Sequence, residues 1–211
     1  MALGSVSSAA HSVESDSVSG RATMMRFDEF VEKSGVAVCP VDRFAGFVVE
    51  IGVPPGWEPF DSAAGVRVWV CRSDPRIDQF CANAVLTTHR LEAPLDAGEV
   101  FAMLVDQQLQ SVPGCHELHR DLAAATDGAG VAGALAMQIT HELGTIDSVS
   151  RTRIITAEQE TLIAQLTVTA LHDSPVDRSN VWLTVRMDAA AGPVSAVQHS
   201  GVPVAGTRGG H

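Results

Sequence analysis

Two adjacent prolines, Pro54 and Pro55, most constrain how this chain can fold. Neither carries an amide donor and both fix φ, so no helix or central strand runs through them. The apolar, extended run before them, Val49-Glu50-Ile51-Gly52-Val53, must end there. Gly56 can take the positive φ of a tight turn, and Trp57 then offers a large face to a core. The stretch Val49–Phe60 therefore predicts a strand that ends in a corner and plants Trp57 beside the core.

The surrounding patterns are those of an α+β chain. Upstream, Arg26–Gly35 predicts a short amphipathic helix, with Phe27, Phe30 and Val31 on one face and Gly35 at the C-terminal cap. Downstream, Val66, Val68 and Val70 alternate with Arg67, Trp69 and Cys71, a strand that Ser73-Asp74-Pro75 breaks. Ala82–Leu91 is a second, β-branched strand. Leu95–Val112 is the clearest helix: Asp96 caps it and Glu99 follows three residues later. Val100, Phe101, Leu104, Val105 and Leu109 form its apolar stripe, Gln107, Gln108 and Gln110 its outer face, and Pro113-Gly114 its stop. Residues 117–125 read as a weak strand before a turn at 126–130, and 131–142, whose apolar run fits strand or helix, reads as a strand because Gly133 weakens a helix. Residues 147–156 and 161–171 read as an antiparallel hairpin with a four-residue loop, Ala157-Glu158-Gln159-Glu160.

The C-terminal end carries two signals. Ser174-Pro175-Val176-Asp177 has helix-start chemistry, yet Val181, Leu183, Val185 and Met187 alternate with Trp182, Thr184 and Arg186, which favours a strand. The order is a short helix, strands, a long helix and then strands, not alternating βα units, so the expected class is an α+β antiparallel sheet flanked by helices. The expected organisation is a Ser-rich disordered tail (1–25), a single α+β domain (26–188) and a flexible C-terminal tail (189–211).

Charge and cysteine usage exclude several functions. The formal net charge is −11, and no Lys/Arg cluster offers a phosphate backbone or an anionic lipid surface a landing site. No nucleic-acid partner is expected. No apolar run approaches the roughly 20 residues of a membrane-spanning helix. The N-terminal stretch lacks the basic and apolar regions of a signal peptide, so the reading leans to a cytoplasmic or non-lipidated protein. Cys39, Cys71, Cys81 and Cys115 form no CxxC pair, and free buried thiols are expected. A Cys71–Cys81 disulfide stays open for an exported chain.

Candidate chemistry is sparse. Gly128-Ala129-Gly130-Val131-Ala132-Gly133 spells GxGxxG, but the preceding Glu117–Ala125 is too polar for the buried parallel strand a dinucleotide site requires, so a turn is expected. His116 and His119 lie three apart, which is not the metal-ligand spacing of HExxH, and on a regular strand they face opposite sides. His141 stands beside Glu142 without a partner in sequence. Asp127, Glu142 and Asp147 are available as acids and bases, but acidic residues at turns are commonly just solvated. No metal ligand set and no cofactor site is expected.

The segments Val53-Pro54-Pro55-Gly56-Trp57, Asp74-Pro75 with Asn83-Ala84-Val85, Leu95-Asp96, Leu109 with Val112-Pro113-Gly114, and Leu166-Thr167-Val168-Thr169-Ala170 carry a family resemblance in their order and spacing. Over residues 45–180 the chain resembles the mycobacterial LpqN/LpqT lipoprotein family. The resemblance implies a Mog1/PsbP-like fold, an association with the actinobacterial cell envelope, no established catalytic residues, and a helix at the C-terminal end. The chain departs from that family in having no cysteine after a signal-like run. The expected function is a non-enzymatic binding or accessory protein with a protein or peptide partner, which contacts it around Trp57, Phe60 and Trp69. The alternatives are a carrier of an apolar small molecule such as a lipid, held between the long helix and the sheet, and an enzyme resting on Gly128–Gly133 and the scattered His and Asp.

Overall fold

The structure, a computed structural model, describes residues 25–189. The two expected tails fall outside these residues except for Met25 and Ala189. The elements run in the order α1 (Phe27–Ser34), β1 (Val38–Pro40), β2 (Phe47–Gly52), β3 (Trp57–Ala63), β4 (Val66–Cys71), β5 (Asn83–Leu91), α2 (Ala97–Ser111), β6 (Cys115–Ala124), β7 (Val131–His141), β8 (Gly144–Thr156), β9 (Thr161–Leu171) and β10 (Trp182–Met187).

Seven strands form the main sheet in the order β3-β4-β5-β9-β8-β7-β6, and β1 adds to the free end of β5; every pairing is antiparallel. The predicted hairpin is β8–β9, closed by the Ala157 N–H donating to the Glu160 carbonyl at 2.8 Å. The chain is thus α+β with an antiparallel sheet flanked by helices.

Strand periodicity decides how the layers stack. In β9, Leu162, Ala164, Leu166, Val168 and Ala170 point to one face, where they meet Ala84 and Leu86 of β5. The small two-stranded sheet β2–β10 closes that face with Leu183 and Val185, packed beside Val49 and Ile51. On the opposite face α2 lays Val100, Phe101, Met103 and Val105 over Leu135, Met137, Ile154 and Ile163. Helix α1 rests at this side too, its Asp28 N–H donating to the Gln107 side chain at 3.0 Å.

The expected caps form. Asp96 accepts from the Glu99 N–H at 2.9 Å and starts α2. Gly35 ends α1 at φ 68°. Pro54 and Pro55 end β2 as expected, Gly56 turns at φ 92°, and Trp57 is buried.

Four points differ from the sequence reading. Strands β1 and β3 were not expected: β1 has three residues, and in β3 only Trp57 is buried, so no alternation marks it. Pro59 is tolerated in β3 because the strand lies at the sheet edge. Second, the residues with helix-start chemistry form a loop. Ser174 is buried and donates to Asp74 at 3.0 Å, stapling the loop to a turn 100 residues upstream, and Trp182–Met187 pairs with β2 as strand β10. The C-terminal helix implied by the resemblance is thus replaced by a strand, because the apolar alternation fits the open side of β2. Third, Gln107 and Gln108 do not face outward: Gln107 holds α1, and Gln108 donates to Ser150 of the sheet at 3.1 Å. Fourth, Met103 joins the apolar face of α2.

Candidate functional site

Three tryptophans divide between core and surface. Trp57 packs among Phe44, Cys71 and Ala82 at 8% exposure. Trp69 is half-buried on β4, against the same core. Phe60 is 64% exposed, because the pairing of β3 with β4 slips between Pro59 and Asp61 and leaves it out of register. Phe60 and Trp69 line a shallow cavity of about 330 Å³ with Pro59 and Arg67. Among the described residues the strand's outer edge has no partner strand. Of the three residues expected at a partner surface, Phe60 and Trp69 therefore line one cavity, and Trp57 is buried in the core. The sequence reading passed over Trp182, which lies 47% exposed across Gly52 on the outer side of the small sheet.

The glycine-rich segment does structural work. It joins two antiparallel strands, and no helix opens on it. Gly130 turns at φ 76° against the Ile154 carbonyl, and Gly128 leaves room for the Val185 carbonyl, which accepts from the Ala129 N–H at 2.9 Å. Gly133 lies beneath the Phe101 ring. These contacts tie β7 to β8, β10 and α2.

The acids and histidines singled out in the sequence, Asp127, Glu142, Asp147, His116, His119 and His141, do not converge on one another. Asp127 pairs with Arg153. Asp147, about 20 residues away in the chain but on β8, accepts from Arg178 at 2.9 Å and meets His172 at 3.0 Å. Glu142 and His141 are exposed at the β7–β8 turn. A bulge between Glu117 and His119 shifts the register of β6, so His116 and His119 pair with Gln138 and Ala136 and share a face. That overturns the opposite-face expectation, which assumed an unbroken strand. Among the described residues no three His, Cys, Asp or Glu side chains group as a metal site. All four cysteines are free, Cys71 buried and Cys81 half-buried; burial pushes the Cys81 thiol up, against the opposing pull of Arg72.

At Asp127, burial works to raise the carboxyl pKa, but the charge and hydrogen bond of Arg153 outweigh it and hold the group below its ordinary 3.8. A depressed folded-state pKa contributes stability that is present above the unfolded value and is lost as pH falls through the folded one. Asp127→Asn is expected to cost about 1 kcal/mol at neutral pH, since its carboxylate is mostly exposed. The difference from the parent chain should shrink toward zero below pH 3.8, read by thermal unfolding across pH. A constant difference at all pH values would show that the charge pairing is not its source.

The space between α2 and the sheet, expected to open as an apolar pocket, is filled by Phe101, Met103 and their neighbours. The cavities lie elsewhere, on the edge at β3 and on the face turned to the small sheet.

Helices on one face of an antiparallel sheet and a small sheet on the other define an α+β protein. The chain belongs to the family described as probable lipoprotein LpqN, whose model matches residues 23–182. Its fold is similar to that of LpqN of Mycobacterium tuberculosis, a protein involved in cell envelope biogenesis, at TM-score 0.57 and 19% identity over 70% of this chain and 86% of that one. A Mog1 point mutant aligns at TM-score 0.37 and 12% identity, over 65% of this chain and 80% of that one. No curated protein matches the chain by sequence. The lean toward a cytoplasmic, non-lipidated protein finds no support, since the family is one of lipoproteins. Among the described residues no helix is long and apolar enough to cross a membrane.

Proposed function

We propose that the chain is a non-enzymatic, envelope-associated binding protein that receives an extended segment of a protein partner along β3. The observation that carries this reading is Phe60, a large aromatic 64% exposed on a strand with a free edge. An added strand gains main-chain hydrogen bonds from such an edge, and side-chain recognition comes from the pocket beside it. Trp69 and Pro59 supply that pocket. Glu58 pairs with Arg72 at 3.6 Å and Arg67 lines the pocket beside Asp61, so the partner segment is recognised by its apolar side chains rather than by its charge. The membership of an LpqN-type family supports the envelope setting.

The test places a photo-crosslinking residue at Ser62 and captures partners from envelope extracts. Parent chain is expected to yield a crosslinked peptide mapped to β3, and Phe60→Asp to lose it with an unchanged unfolding midpoint. Capture that survives Phe60→Asp, or none from the parent chain, refutes the edge-binding reading. Trp57→Ala does not serve here, since deleting this buried ring costs about 3–5 kcal/mol of stability.

A further inference from the structure

Strand β8 places two arginines where its pattern asks for apolar side chains. Val149, Arg151, Arg153 and Ile155 face the same way and pair with Val168, Leu166, Ala164 and Leu162 of β9, the wall of the core beneath the small sheet. Arg153 is 7% exposed. Its Nη2 donates to Asp127, whereas its Nη1 is buried without an acceptor. Arg151 makes no ion pair among the described residues; its Nη2 reaches the Arg178 and Ser179 carbonyls at 3.4 Å each, and its Nη1 is also buried without an acceptor. Buried charged donors without acceptors are costly, and each such group in a native fold asks for an explanation. Two like charges about 7 Å apart along one strand add repulsion. Burial also lowers the Arg151 pKa.

Both side chains line one cavity of about 440 Å³. Its floor is a shelf of small apolar residues, Ala123, Ala132 and Ala134, bounded by Leu183 of β10. Strand β10 packs on β8 and β9, which leaves this shelf on β6 and β7 open. Asp127 and Asp121 also line the cavity. The first is engaged by Arg153, and the second is exposed on β6, two strands from Arg151. Two guanidinium groups line the cavity and only that of Arg153 has an ion-pair partner among the described residues, so the site calls for an oxyanion. The cavity exceeds a bare phosphate several-fold, and its alanine floor offers nothing to a polar body.

We propose that this cavity binds a small anionic amphiphile, with a carboxylate or phosphate head drawn to the guanidinium groups of Arg151 and Arg153 and an apolar body lying on the alanine shelf. The site lies on the face toward the small sheet, apart from the β3 edge, so it stands or falls independently of the partner reading.

The test titrates the whole chain with octanoate, octyl phosphate, octanol and inorganic phosphate while following alanine methyl NMR signals. Octanoate or octyl phosphate is expected to shift Ala132 and Ala134 saturably, and the tighter of the two identifies the head group. Octanol and inorganic phosphate should bind at least about tenfold more weakly, each lacking one half of the recognition. Arg151→Gln, which gives up only two long contacts, should weaken binding about 10- to 100-fold. Ala134→Leu, which fills the shelf and leaves both arginines, should block binding as a second, independent variant. No saturable shift with either amphiphile, equal binding of octanol or inorganic phosphate, or unchanged affinity in both variants overturns the assignment.

Discussion

Gly133→Ala is expected to lower stability by about 1–3 kcal/mol, although it adds a single methyl to a strand. A β-carbon at residue 133 would fall well inside contact distance of the Phe101 ring. That ring cannot swing away freely, because it is 4% exposed and wedged with Val100, Leu135 and Ile154. For a chain of this size each kcal/mol moves the unfolding midpoint by about 2–4 °C, so the loss is readable by calorimetry. Phe101→Leu in the same chain should recover part of the loss. The cycle of the two single variants and the double should therefore show favourable coupling of at least about 0.5 kcal/mol. Strict additivity would mean that helix and sheet do not meet at this point. The result also bears on the glycine pattern, since a steric origin for Gly133 accounts for its place in GxGxxG without any nucleotide.

The second large effect is expected from Leu166→Ala, at about 2–5 kcal/mol. Leu166 is fully buried in β9, the strand between β5 and β8, on the face that meets the small sheet. Its neighbours belong to paired strands and cannot collapse into the space without breaking ladder hydrogen bonds. Thr167 is one residue away but points to the opposite face, half-buried, with its hydroxyl 2.9 Å from that of Ser150. Thr167→Ala should cost only about 1 kcal/mol, the net worth of one exchanged hydrogen bond. Chemical denaturation of the two variants checks the contrast. Similar losses at both positions would contradict the two-faced assignment of β9.

The legibility of the fold followed the strength of local patterns. Strands with clean alternation, such as Val66–Cys71 and Thr161–Leu171, were readable because each residue's environment repeats every second position. Helix α2 was readable through its Asp96 cap and its stripe. Strand β3 was not, because an edge strand buries little and needs no alternation. The shared face of His116 and His119 was hidden by a bulge, which no periodic reading anticipates.

The candidate sites were less legible. Phe60 was identified as a contact residue, but its exposure depends on the slip in register against β4. Trp57 carries the same kind of apolar face and went to the core instead. Arg151 and Arg153 did leave a trace: they occupy the same phase as Val149 and Ile155, so a strand reading puts charge on an apolar face. That trace gains meaning only when β10 is known to stop short of the alanine shelf.

From the sequence alone came the class of architecture, the corner at Pro54–Pro55, the hairpin at 157–160 and the family. These rest on interactions between near neighbours, where proline geometry, capping and periodicity act. The tertiary structure alone decided which strand Trp182–Met187 would pair with, since its partner β2 lies 130 or more residues earlier in the chain. It also decided which aromatics stayed at the surface and which arginines were buried without acceptors. Those outcomes depend on which distant segments meet and where a covering layer ends, and no local pattern encodes either.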